Sequence, residues 1–189
     1  MKRFEICDRF HVIDSKDENG VFLGCSVYLE KNGKKHSIAD EGYGCVQILS
    51  VLLSIQNAIL QSQIVEKSSS NEMCSSPAFV LAVEEPENHL HPKLQSLLAD
   101  MFLEAYEQFG VTFIIETHSE YLIRKSQVLV AGMKFSTNIE SNEKSPFRTY
   151  YIPNNGEPYS LWYRKDGNFA ERFGSGFFDE ADNLAFEIM

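Results

Sequence analysis

The sequence predicts an α/β domain: a mostly parallel sheet flanked by helices, with an N-terminal antiparallel hairpin region. Three observations carry that prediction. Two Asn-Gly dipeptides, Asn19-Gly20 and Asn32-Gly33, bracket the alternating residues Val21, Leu23, Cys25, Val27 and Leu29, the pattern of strands joined by tight hairpin turns. Two short continuous apolar runs, residues 79–83 and 111–115, have the length of strands covered on both faces. Between them lies one segment with helical periodicity, so strand, helix and strand form a βαβ unit with a parallel pairing.

Each element has its own justification. Residues 1–40 are read as antiparallel strands around the two Asn-Gly turns. Residues 41–62 contain a Gly-rich entry and a helix from Gly44 to about Gln61, apolar enough at Val46, Leu49, Leu52, Leu53, Ile59 and Leu60 to predict burial on most sides. The polar stretch 67–76 reads as an exposed loop. Residues 78–132 hold the βαβα core: Pro92 suits a first helical turn, apolar residues recur from Leu94 to Ala105, Gly110 stops the helix, Ser119 caps the next one and Gly132 ends it. Residues 136–146 read as a polar, mobile loop. Residues 147–189 form a closing hairpin around Asn154-Asn155-Gly156 and a tail with a short terminal helix from Asp179. The whole, 1–189, is read as a single domain, since 189 residues with 43% apolar content suffice for one core.

Composition narrows the function classes. The 27 acidic against 17 basic residues give a formal charge of −10, which disfavours a phosphate backbone as partner, and no basic surface stripe is visible in the sequence. Cys7, Cys25, Cys45 and Cys74 are widely spaced with no CxxC pair, which argues against a zinc knuckle or a disulfide framework and for reduced thiols in a cytoplasm. The apolar runs are interrupted by serines and glutamates, so no membrane span is expected.

Ligands in open α/β sheets sit beyond the carboxyl ends of the strands, and there the sequence places its charged groups. The first run leads into Glu84-Glu85 and then Pro86-Glu87-Asn88-His89-Leu90-His91-Pro92; the second leads into Glu116-Thr117-His118-Ser119. With neighbouring strands, Glu84, Glu85 and His118 converge at one edge. Tandem carboxylates can divide labour, one holding Mg²⁺ and the other acting as general base towards water, while an imidazole can hydrogen-bond a phosphate.

The run AFVLAVEEPENHLHP resembles the Walker B strand and D-loop of ABC-type ATPases of the OLD/RecF-like branch, and FIIETHSEYLI resembles their switch-histidine segment. ADEGYGCVQILSVLL is similar to their signature segment, and GSGFFDE to the end of a group of uncharacterised ATPases in this branch. The resemblance implies the C-terminal part of an ABC ATPase head. It assigns Glu84 to Mg²⁺, Glu85 to the catalytic base and His118 to the switch histidine. Gly42, Tyr43, Gly44 and Gln47 fall in the signature, and His91 in the D-loop, facing ATP held by a second subunit. Two positions depart from the wider ABC pattern, Glu84 where Asp is more widespread and Gly42 where many ABC proteins place a serine.

No segment fits GxxxxGK[ST], the phosphate-cradling loop; the nearest, Gly33-Lys34-Lys35, has Tyr28 at the earlier glycine position and no hydroxyl residue. Phosphoryl transfer rests on positioning and charge neutralisation, so the chain alone is expected to be inactive and to be the C-terminal piece of a longer protein. The expected cofactors are ATP and Mg²⁺. Its expected partners are a Walker A-bearing N-terminal portion, a second copy joined through nucleotide, and an effector such as a nuclease in nucleic-acid processing or phage defence. The alternatives are a non-catalytic module docking on a partner that supplies the Walker A loop, and a metal-dependent phosphohydrolase using Glu84, Glu85, His89 and His118.

Overall fold

A computed structural model describes residues 3–68, 79–133 and 145–188; the loop expected at 67–76 and the one at 136–146 lie largely outside them. The chain opens with an antiparallel sheet in the order β1 (Arg9–Lys16), β2 (Phe22–Lys31) and β3 (Lys34–Ser37). Lys31 pairs with Lys34, leaving Asn32 and Gly33 as a two-residue turn with φ of 52° and 74°, the mirror-image geometry that Asn-Gly favours. The first turn is longer. There the Asp17 carboxylate accepts the N–H groups of Asn19 and Val21 at 2.9 and 2.8 Å. The apolar alternation of β2 becomes burial only at its Leu29 end; Phe22 and Leu23 stay exposed.

A short 3-10 turn, Ile38–Asp40, leads into α1 (Tyr43–Ser68), which outruns the predicted end near Gln61 and takes in the start of the expected loop. Ile48, Val51, Ile55, Ala58 and Ile59 face the core, whereas Val46, Leu53 and Leu60 are exposed. The helix is therefore buried on one side, not on most sides. By length and composition α1 is also apolar enough over Tyr43–Ser62 to cross a membrane, against the reading of the apolar runs as too short. The interruptions are serine, glutamine and asparagine, which carry no charge, and a core helix passes the same test.

β4 (Val80–Glu84) and β5 (Thr112–Glu116) pair in parallel with Glu84 opposite Glu116, flanking α2 (Pro92–Phe109) in sequence. This is the only parallel pairing among the described residues, so the expected mostly parallel sheet is present as two strands. Leu81, Val83, Phe113 and Ile115 pack on the core. The opposite face is open, with Val80 57% and Ile114 63% exposed, although continuous apolar runs predict cover on both sides. Pro92 starts α2 and Gly110 ends it at φ 67°. Ser119 caps α3 (Glu120–Gly132) by accepting the Leu122 N–H at 3.1 Å.

The closing hairpin, β6 (Thr149–Tyr151) with β7 (Tyr159–Leu161), precedes a tail ending in α4 (Glu180–Glu187). The tail folds onto α3: Arg124 sits 3.9 Å from the Phe178 ring centroid, and the buried Tyr163 hydroxyl meets Ser126 Oγ at 2.7 Å and Thr149 Oγ1 at 2.8 Å.

Candidate functional site at the strand ends

Parallel pairing of β4 and β5 brings both charged strand ends to one rim. Glu84 and Glu116 share a register position and so stand side by side on the open face. Glu85 would alternate to the core face. Instead its backbone turns left-handed, φ 42°, while its N–H still bonds the Glu116 carbonyl at 3.0 Å. Its side chain stays at the rim, where His118 Nε2 lies 3.8 Å from Glu85 Oε1 and 3.0 Å from Glu116 Oε1. Asn88 Nδ2 donates to Glu85 Oε2 at 2.5 Å.

Beneath this rim lies Glu87, only 7% exposed. One of its oxygens accepts the His118 N–H at 2.6 Å and the Thr117 hydroxyl at 2.8 Å; the other is buried with no partner among the described residues. Thr117 Oγ1 in turn accepts the Ser119 N–H at 3.0 Å, and Ser119 Oγ donates to Gln95 Oε1 at 2.6 Å. The His118 backbone is thus tied to the loop after β4 and to α2 at once.

The signature residues abut the same loop. Gln47 Nε2 donates to the Glu85 carbonyl at 3.3 Å, the Tyr43 and His89 rings lie 5.4 Å apart, and a Cβ on Gly44 would meet the His89 carbonyl oxygen at 2.8 Å. Gly42 and Tyr43 are exposed. His91 is the N-cap of α2, its Nδ1 accepting the Lys93 N–H at 3.3 Å. His89 holds a left-handed turn, φ 60°.

The structure brings Glu85 and His118 together and sets Glu84 and Gln47 beside them, while Gly44 packs against His89 and Leu90 further along the loop. It also brings in two residues the motif reading passed over. Glu116 enters through its register with Glu84, and Glu87 through burial in the loop that follows the fully buried Pro86, neither of which the sequence pattern displays. The ligand-type atoms that meet are those of Glu85, Glu116 and His118, all within 4.8 Å of one another. An imidazole and two carboxylates so placed can hold a cation or exchange a proton with a bound water.

Comparison with known proteins gives one family match, the AAA ATPase domain, over residues 2–123 of 189. That span holds every site residue and leaves out the closing hairpin and tail. No curated protein matches the chain. A solved structure from work on ATP-driven dimerisation and DNA-stimulated activation of SMC ATPases is similar over 100% of this chain and 94% of that chain, with 12% identity and a TM-score of 0.40, a level too low to carry functional detail.

Proposed function

From the premise that this chain belongs to the AAA ATPase domain family, we propose that it forms the signature, acidic and switch-histidine part of an ABC-type head of the OLD/RecF-like branch. The observation that carries the reading is the meeting of Glu85 and His118 at one strand rim, 3.8 Å apart. Glu85 is the general base for the attacking water, His118 contacts the γ-phosphate, and Glu84 serves Mg²⁺ beside them. Gly42, Tyr43, Gly44, Gln47 and His91 line the approach of an ATP whose phosphates are cradled elsewhere, on a Walker A-bearing portion. In this reading the head works in the cytoplasm, dimerises around nucleotide and drives an attached effector in nucleic-acid processing or phage defence.

The chain supplies no GxxxxGK[ST] loop, and without backbone N–H groups and a lysine on the phosphates little stabilises the transferring phosphoryl. The chain alone is therefore proposed to be inactive. The test is ATP turnover by the chain and by a form joined to a Walker A-bearing portion. The expected result is background for the first and turnover for the second, abolished by Glu85→Gln; turnover by the chain alone, or an unaffected Glu85→Gln form, would refute the assignment.

A second reading is favoured by the open face of β4 and β5. Parallel strands are ordinarily covered on both faces, and Val80, Ala82 and Ile114 are exposed here. A non-catalytic module docking on a partner that supplies the Walker A loop would use that face. Failure of Glu85→Gln to affect the assembled protein's turnover would favour it.

A further inference from the structure

The rim carries more negative charge than its protein partners balance. Glu85 and Glu116 meet there, with Glu84 in register beside Glu116 and Glu87 buried beneath, and among the described residues no lysine or arginine forms an ion pair with any of them. Among the described residues, the His118 imidazole is the ion-pair partner of Glu85 and Glu116. The buried oxygen of Glu87 that has no partner among the described residues is a separate sign, because polar atoms removed from water are nearly always matched, and Glu87's other oxygen accepts the His118 N–H.

We propose that Glu85, Glu116 and His118 bind a first-row transition-metal dication, without nucleotide. The donor set argues for that class over Mg²⁺, which favours oxygen ligands and water, whereas an imidazole nitrogen suits zinc and its neighbours. Donors about 2.1 Å from one ion stand about 3.0–3.4 Å from each other in octahedral or tetrahedral arrangements. The Glu116–His118 distance of 3.0 Å already meets this, and Glu85 at 3.8 Å needs a small side-chain rotation. The three side chains are between 44% and 75% exposed, so the ion keeps positions for water, as open three-ligand sites do. Glu87 acts as outer support, holding the His118 backbone while the imidazole ligates.

This inference stands apart from the ATPase reading, because its readout needs no ATP. Cobalt(II) is titrated into the intact chain and followed by its visible absorption, with zinc(II) in competition monitored by calorimetry. One cobalt per chain is expected, displaced by zinc and retained in excess Mg²⁺. Glu116→Gln and His118→Ala, each checked for native unfolding, are expected to weaken binding about tenfold or more, while His36→Ala on β3 leaves it unchanged. Absence of the cobalt band, displacement by Mg²⁺ as readily as by zinc, or equal affinity in Glu116→Gln would overturn the proposal.

Discussion

Truncating Glu87 to alanine removes the acceptor shared by the His118 N–H and the Thr117 hydroxyl, at 2.6 and 2.8 Å. A buried donor left without a partner costs about 1–3 kcal/mol. The Thr117 hydroxyl lies partly open and can turn to water, so its loss falls at the low end. Against this, the substitution deletes an oxygen that is already buried and unpartnered, which returns about 1 kcal/mol. The net expectation is a loss of about 1–3 kcal/mol, or a urea midpoint lowered by about 1 M for a slope near 2 kcal/mol/M. Glu87→Gln keeps one acceptor oxygen for the His118 amide and should recover most of the loss. Amide exchange at His118 gives the local readout, speeding in the alanine form and reverting in the glutamine form. An unchanged midpoint together with unchanged His118 exchange in Glu87→Ala would refute the clamp.

Burial raises the Tyr163 phenol above its ordinary value of 10.0, partly offset by its hydrogen bonds to Ser126 and Thr149. The folded state keeps this proton where the unfolded chain releases it, so the contribution is full below about pH 10 and is lost as pH rises through the folded value. Tyr163→Phe should cost about 1 kcal/mol at neutral pH yet lose less stability between neutral and alkaline pH than the parent, as urea titrations at several pH values will show. Gly167 has φ 80° and no room for a Cβ, which would lie 2.2 Å from the Gln127 carbonyl oxygen; Gly167→Ala should detach the tail from α3 and cost about 2 kcal/mol or more, seen as faster proteolysis after residue 164. A Cβ at position 44 meets backbone, so Gly44→Ala should push the loop after β4 away from α1 and speed amide exchange at Leu90, whereas an unaltered rate would deny that contact.

Punctuation was the legible part of this sequence. Asn32-Gly33, Pro92, Gly110 and Ser119 each act through local chemistry, a positive φ, a missing N–H or a capping hydroxyl, and each falls where the pattern put it. Burial was less legible, because an apolar run records that a strand has apolar sides and not what lies against them. Residues 79–83 therefore predicted cover on both faces, while Val80 and Ala82 stand open. The same holds for α1, whose leucines face solvent as well as core. At the site, Glu85 and His118 were legible because strand ends concentrate charge. Glu116 and Glu87 were not, since the role of the first comes from register with Glu84 and that of the second from a turn that buries it beneath His118.

The open face and the acid rim belong to one physical problem. Val80, Ala82 and Ile114 share their side of the sheet with Glu84 and Glu116, which follow in the same alternation. Any layer that covers the apolar residues must also come close to these carboxylates and exclude water from them. Charge interactions strengthen as the surroundings lose water, so the pairing of Glu116 with His118, now 3.0 Å apart with both side chains at least half exposed, gains from the covering that buries Val80 and Ile114. The uncompensated negative charge grows costlier in the same step. A covering partner therefore succeeds only if it brings positive charge to the rim or finds a cation already there. Assembly on this sheet and charge balance at Glu85, Glu116 and His118 are consequently linked, and a cation bound at the rim should tighten association with whatever packs against Val80 and Ile114.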